Sequence, residues 1–280
     1  MNKIDIKKHP LSFILRILVI LAAAFTFIVL LFLIFYILVN GVPNLTAALF
    51  SLKYTSENLS LLPELINTLI MVILSLLIAI PIGVFSAIYL VEYSNRGSKL
   101  VKLIRITADT LSGIPSIVYG LFGMLFFSKF LGWSYSMMAG ACTMAIMVLP
   151  LVLRTTEEAL QSVSDTFREG SFGLGAGKLR TVFKIILPAA MPGILSGVIL
   201  SMGRIMGETA ALIYTSGTIT QIATNVMDSG RTLALHMYVL AGTGLHIKQA
   251  YATAVVLLFM AVLVNFSSEK IAKKLSKGGA

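Results

Sequence analysis

Few residues of this 280-residue chain are equipped for chemistry, and two of them sit where charge is expensive. The segment Gly203-Arg204-Ile205-Met206-Gly207-Glu208-Thr209 places a guanidinium and a carboxylate inside an apolar run. An arginine near a bilayer centre costs about 2.5–3.5 kcal/mol even on the lenient insertion scale, so it marks a functional site by default. Its planar fork matches a tetrahedral oxyanion bidentately, and the chemistry implied is anion recognition. Arg204 stands sixteen residues past Pro188, about 24 Å along a helix at ~1.5 Å per residue, in the middle or outer half of a membrane. Glu208, four residues on, is expected on the same helix face, either neutralising the arginine or sharing in recognition. Ser112, Ser116, Thr209 and Thr215 are further hydroxyl donors, either to a passing anion or to neighbouring helices.

The remaining side chains argue against covalent or metal chemistry. Cys142 is the single cysteine and lies in an apolar run, so neither a disulfide framework nor a CxxC pair can form. His9, His236 and His246 are too scattered for metal-ligand spacing. No nucleophile–base constellation is evident. Gly173-Leu174-Gly175-Ala176-Gly177-Lys178 imitates a phosphate-binding loop, but Phe172 and Leu179 occupy the positions that need Gly and Ser or Thr. Nucleotide binding by this chain is therefore rejected. Asp228, Arg231 and His236 of an external loop read as solvated or capping residues, or else as contacts for an external binding protein.

The elements that must position Arg204 are membrane helices. Only 12% of residues are charged and 57% are hydrophobic, with a mean hydropathy of +0.92. Lipid must cover part of that apolar surface. Six apolar stretches, at about residues 14–39, 65–91, 111–128, 135–153, 188–213 and 249–266, meet or approach the length of a span. The first is too long for a signal-peptide core and is read as a retained helix. Ile80-Pro81-Ile82-Gly83 and Gly113-Ile114-Pro115 predict kinks in the second and third. The expected architecture is an all-α integral membrane protein with six transmembrane helices in a single domain, residues 1–280. Its longest loops are 154–187 and 214–248, and long loops in compact domains usually have work to do. Seventeen lysines and arginines fall on the side of the termini and four on the other. By the positive-inside rule both ends are expected in the cytoplasm. The dispersal of the +10 net charge between spans argues against nucleic-acid binding.

Within loop 154–187, Glu169-Gly170-Ser171, then Gly175, Ile185 and Leu187-Pro188 follow the spacing EAA-x3-G-x9-I-x-LP. The segment resembles the EAA loop of ABC-importer permeases, with Gly170 and Ser171 in place of two alanines. Its apolar side chains and terminal glycine suit a short helix that docks in a partner's groove. The stretch Leu187-Pro188-Ala189-Ala190-Met191-Pro192-Gly193-Ile194, with Gly203 to Leu212, is similar to phosphate importer permeases. Gly207 to Leu212 followed by Tyr214-Thr215-Ser216-Gly217 resembles the PstA type more than its PstC partner, and Ile114 to Gly123 is also similar to the phosphate importer permeases. The resemblance covers about residues 64–266. It implies the type I ABC importer permease fold in the cytoplasmic (inner) membrane. It also implies a second, PstC-like permease, two ATP-binding subunits that carry ATP and Mg, and an external phosphate-binding protein. No cofactor is expected on this chain. Glu169, Gly170, Ser171, Gly175, Ile185, Leu187 and Pro188 would then dock the ATPase subunit, while Arg204, Glu208 and Thr209 would handle phosphate. Two alternatives stay open: an ABC permease for another oxyanion such as sulfate or molybdate, and an ion-coupled symporter.

Overall fold

The computed structural model describes residues 10–95 and 97–277, which are helical apart from connecting turns. The cations Lys3, Lys7, Lys8 and Arg96, together with His9, lie outside the described residues. Helix α1 (Pro10–Gly41) is followed by α2 (Leu62–Ile88), which continues through a π turn to Tyr93. Next come α3 (Lys99–Ser112), α4 (Ser116–Gly123), with its own π extension to Phe130, and α5 (Met137–Gln161). The loop helix α6 (Asp165–Gly173) and the short α7 (Lys178–Thr181) lead through a π turn into α8 (Leu187–Met206). The chain closes with α9 (Ala210–Ile213), α10 (Leu233–Thr243) and α11 (Ile247–Lys277). Among the described residues five helices are long and apolar enough to cross a membrane, and the bent pair α3–α4 supplies a sixth candidate.

Two expected spans are broken. The stretch 111–128 was expected as a kinked span, but α3 and α4 meet at 102°. Pro115 lacks an N–H and excludes helical geometry from the residue before it, so the chain must turn at Gly113-Ile114-Pro115. Residues 99–112 thereby become a helix of their own instead of loop. The stretch 188–213 was expected to be continuous, but α8 stops at Met206. The two long loops are also more ordered than their polarity suggests. Helix α5 runs on to Gln161 because Thr156, Glu157, Ala159 and Leu160 bury one face. Loop 214–248 contains α10, whose Leu233, Leu235 and His236 are fully buried.

The centre of the bundle is α5 between α2 and α8, with α11 behind α8. Lipid tails are as apolar as leucine, so helix association here rests on close packing instead of water exclusion. Small residues supply that closeness on both sides of α5. A Cβ added at Gly83 of α2 would stand 2.7 Å from Val152, and one at Gly197 of α8 would stand 1.9 Å from Thr155 Oγ1. Met71, Met144, Met147 and Ile205 fill the remaining core. Helix α1 has none of its most apolar window buried. It leans on α11 only at its far end, where Tyr36 and Tyr251 meet edge to face at 5.8 Å.

Candidate functional site

Arg204 lies in the last turn of α8, on an exposed face between Gly203 and Gly207. A side chain at Gly203 would meet nothing within 4 Å, so the backbone leaves room around the guanidinium. The helix ends there for a local reason. Gly207 is a weak helix residue, and the next carboxylate has a competing donor: Glu208 Oε1 accepts from Ala211 N at 3.1 Å, at the start of α9. Thr209 between them is half-buried, with φ −124° and ψ −52°. Glu208 is therefore displaced from the α8 face it was expected to share with Arg204, and no ion pair joins the two among the described residues. Its second oxygen, Oε2, has no hydrogen-bond partner there.

The broken segment is held close to α4. A Cβ at Gly120 would stand 2.7 Å from the Ala211 Cα, so only glycine lets α4 meet α9 backbone to backbone. Thr215 is buried and donates to Ala211 O at 2.9 Å, which removes it from the list of free donors. Ser112 donates to Asp109 O at 2.8 Å. No side-chain hydrogen bond engages Ser116 or Thr209 among the described residues.

Arg204 lines a cleft of about 390 Å³ between α3, α5 and the end of α8. Arg105 and Arg154 share the cleft with Asp109, Glu157 and Glu158. Arg105 pairs with Glu157, while Arg154 reaches Asp109 at 3.1 Å and Glu158 at 3.4 Å. Arg204 has no carboxylate within 4 Å among the described residues. The cleft thus holds three guanidiniums and three carboxylates, and Arg204 is the guanidinium left without a direct carboxylate partner, free to donate to an anion.

The docking residues fall into two groups. Helix α6 starts on Ser164, whose side chain accepts from Thr166 N at 3.4 Å. It is closed by Gly175 at φ +82°, where a side chain would be strained. Glu169 and Gly170 are exposed, as are the apolar Phe172 and Leu174, the latter 90% exposed. Ser171 instead turns inward and hydrogen-bonds Thr181 at 2.8 Å. Ile185 and Leu187 pack against the cluster of Ala87, Leu160 and Ile186 beneath α6, and Pro188 opens α8 on an exposed position. The outward surface of this segment is therefore narrower than its sequence motif.

Charges on the far side of the bundle were misread from sequence. Arg231 and His236 are buried, not solvated, and meet Glu64 at the start of α2. Arg231 Nη2 donates to Glu64 Oε1 at 2.9 Å and to His236 Nδ1 at 2.6 Å, beneath the Tyr54 ring. His236 Nδ1 also lies 3.3 Å from Glu64 Oε1, so the three side chains meet around one carboxylate oxygen. The hint available in the sequence was Glu64, an acid directly preceding a long apolar run. Asp228 does cap a turn: it accepts from Thr224 N at 3.1 Å and Asn225 N at 2.8 Å, and those bonds hold its carboxyl below the usual aspartate range.

A family model described as binding-protein-dependent transport system inner membrane component matches residues 79–277. Probable ABC transporter permease protein YqgI of Bacillus subtilis is 33% identical over 218 residues, 72% of this chain and 74% of that protein. Phosphate transport system permease protein PstA 1 of Mycobacterium tuberculosis is 33% identical over 210 residues, 74% of this chain and 68% of its own length. PstA of Pasteurella multocida is 38% identical over 202 residues, 70% of each. Among solved structures, a bacterial alginate ABC transporter aligns over 98% of both chains with a TM-score of 0.70 at 14% identity. The MetNI methionine ABC transporter, inward facing, aligns over 75% of this chain and 91% of its own with a TM-score of 0.58 at 19% identity. At those identities the solved structures speak for the fold alone.

Proposed function

Because the chain belongs to the family of binding-protein-dependent transport system inner membrane components, and is the multi-pass permease of an ABC importer, we propose that it carries inorganic phosphate into the cytoplasm. The observation that carries this reading is Arg204, a guanidinium without a direct carboxylate partner at a helix break inside the membrane. Broken helices at membrane depth are tolerated where they line a cavity or a route, and such breaks bind substrates in other transporters. The names of the PstA relatives point to phosphate as the anion.

On this reading the chain pairs with a second, related permease. Of two ATP-binding subunits, one docks on the exposed surface of α6 and the other on the second permease, and a phosphate-binding protein delivers solute from outside. ATP and Mg belong to those subunits; this chain supplies the route and binds no cofactor. Arg204 provides attraction. Glu208 keeps Oε1 on Ala211 N and presents Oε2 to the proton that phosphate retains near neutral pH. A fully ionised oxyanion such as sulfate has no such proton and would be repelled. Thr209 stands between the two groups as a hydroxyl donor.

The test is ATP-dependent uptake of radiolabelled phosphate in vesicles holding the reconstituted complex. Loss of uptake in both Arg204→Lys and Arg204→Ala, with assembly intact, is the expected result. Persistent uptake in Arg204→Ala would overturn the role of the guanidinium. Sulfate and molybdate run in parallel identify the anion: entry of either by wild type in place of phosphate would reassign the substrate. Glu208→Gln is expected to weaken the exclusion of sulfate.

A further inference from the structure

Arg168 is the one side chain of the α6 region that ties three elements together with every donor it has. A guanidinium carries five N–H groups. In Arg168, Nε donates to Glu92 Oε1 at 3.1 Å, and Nη2 donates to the same oxygen at 2.6 Å and to Leu160 O at 3.0 Å. Nη1 donates to Val163 O at 2.8 Å and to Asp165 Oδ1 at 3.1 Å. Glu92 closes the cytoplasmic end of α2, Leu160 and Val163 bracket the end of α5, and Asp165 begins α6. The pair is largely out of water, with side chains 15% and 8% exposed. Its hydrogen bond to Glu92, ahead of opposing burial, raises the Arg168 pKa further above its ordinary value.

The acceptors explain what such a knot can do. Gln161, between Leu160 and Val163, lines the cleft that holds Arg204, as do Glu157 and Glu158 one turn earlier. A displacement of α6 is therefore handed to the walls of that cleft through one planar group, without crossing a flexible loop. The opposite end of α6 is tied by the Ser171–Thr181 bond to the entry of α8. The outer surface of α6 meanwhile leaves Phe172 and Leu174 free for a partner.

We infer that Arg168, with Glu92, is a positioning pair that transmits the movement of docked α6 to α2 and α5 and so couples ATP hydrolysis to opening of the Arg204 cleft. This rests on the reading of α6 as the ATPase docking helix. Lysine cannot replace the arginine, because its three donors form a compact point charge and cannot make five hydrogen bonds in one plane.

The experiment uses the reconstituted complex with Arg168→Lys, Arg168→Gln and Glu92→Gln. It records co-purification of the ATPase subunits, ATP hydrolysis, and phosphate moved per ATP. Coupling free energies of 1–3 kcal/mol correspond to roughly 5- to 150-fold. The expected result is ATPase subunits still bound, hydrolysis within about twofold of wild type, and a fall of at least about fivefold in phosphate per ATP in all three. A merely structural role would lower uptake and hydrolysis in parallel and leave their ratio unchanged, which overturns the inference. Loss of ATPase subunits in both Arg168 variants with Glu92→Gln behaving as wild type also overturns it, since Arg168 would then act by direct docking. Failure of the docking reading has a different signature: Phe172→Ser and Leu174→Ser would leave the ATPase subunits bound and active whatever the Arg168 variants do.

Discussion

Charge burial governs the single residues. The Glu64–Arg231–His236 cluster takes a carboxylate and a guanidinium out of water, where each is tolerable only because of the other. Removing one partner of a buried pair costs about 3–5 kcal/mol, while replacing both by apolar groups of similar volume is often near neutral. Glu64→Gln is therefore expected to lower the melting temperature in detergent sharply, and Glu64→Leu with Arg231→Met to recover most of the loss. A double variant as unstable as the single would show that the cluster has another role. Asp228 makes a prediction in pH. Its folded pKa is depressed by hydrogen bonds from Asn225 and Thr224, so the turn is stabilised at all pH above the ordinary aspartate value of about 3.9. That contribution is lost as pH falls through the lower folded value. Protection of the Thr224 and Asn225 amides against hydrogen exchange should fall only in that acid window, and Asp228→Asn should abolish the pH dependence.

At the scale of elements, the break after α8 decides what Arg204 can do. If α8 ran on through Glu208, the carboxylate would sit one turn above the guanidinium and neutralise it. Gly207 has a negative φ, −87°, and an added Cβ would meet only Gly203 O at 3.6 Å. Gly207→Ala is thus sterically free, yet it favours helix by about 1 kcal/mol. It is expected to leave the protein folded while reducing phosphate uptake. Unchanged uptake in vesicles would mean that the break is not needed for transport.

The whole molecule is a bundle whose α1 leaves its most apolar window exposed and packs on α11 at its far end. Its charge distribution predicts orientation: seventeen cations on the side of the termini against four on the other. A reporter fused after Ala280 should be active only as a cytoplasmic reporter, and one inserted beside Lys53 only as an external one. The reverse pattern would place the Arg204 cleft and α6 on the wrong side for a docked ATPase. Much of this architecture was legible without coordinates. Apolar runs long enough to span, clustered cations between them, the spacing from Glu169 to Pro188 and the charge at Arg204 are all local in the chain.

What the sequence alone determined is the set of properties that depend on composition and near-neighbour spacing: an all-α membrane protein, the existence of its long apolar helices though not their ends or breaks, and a short helix in loop 154–187. What only the tertiary structure decided depends on where the chain returns. Proline and glycine announced a disturbance at 113–115, but neighbouring helices set its 102° turn. Glu208 left the face of Arg204 because a backbone donor three residues ahead competed for its carboxylate. Arg231 found Glu64 across 167 residues, and Arg168 found Glu92 across 76. No periodicity encodes such meetings, because a buried ion pair needs a partner in space and sets no condition on how far away in sequence it lies.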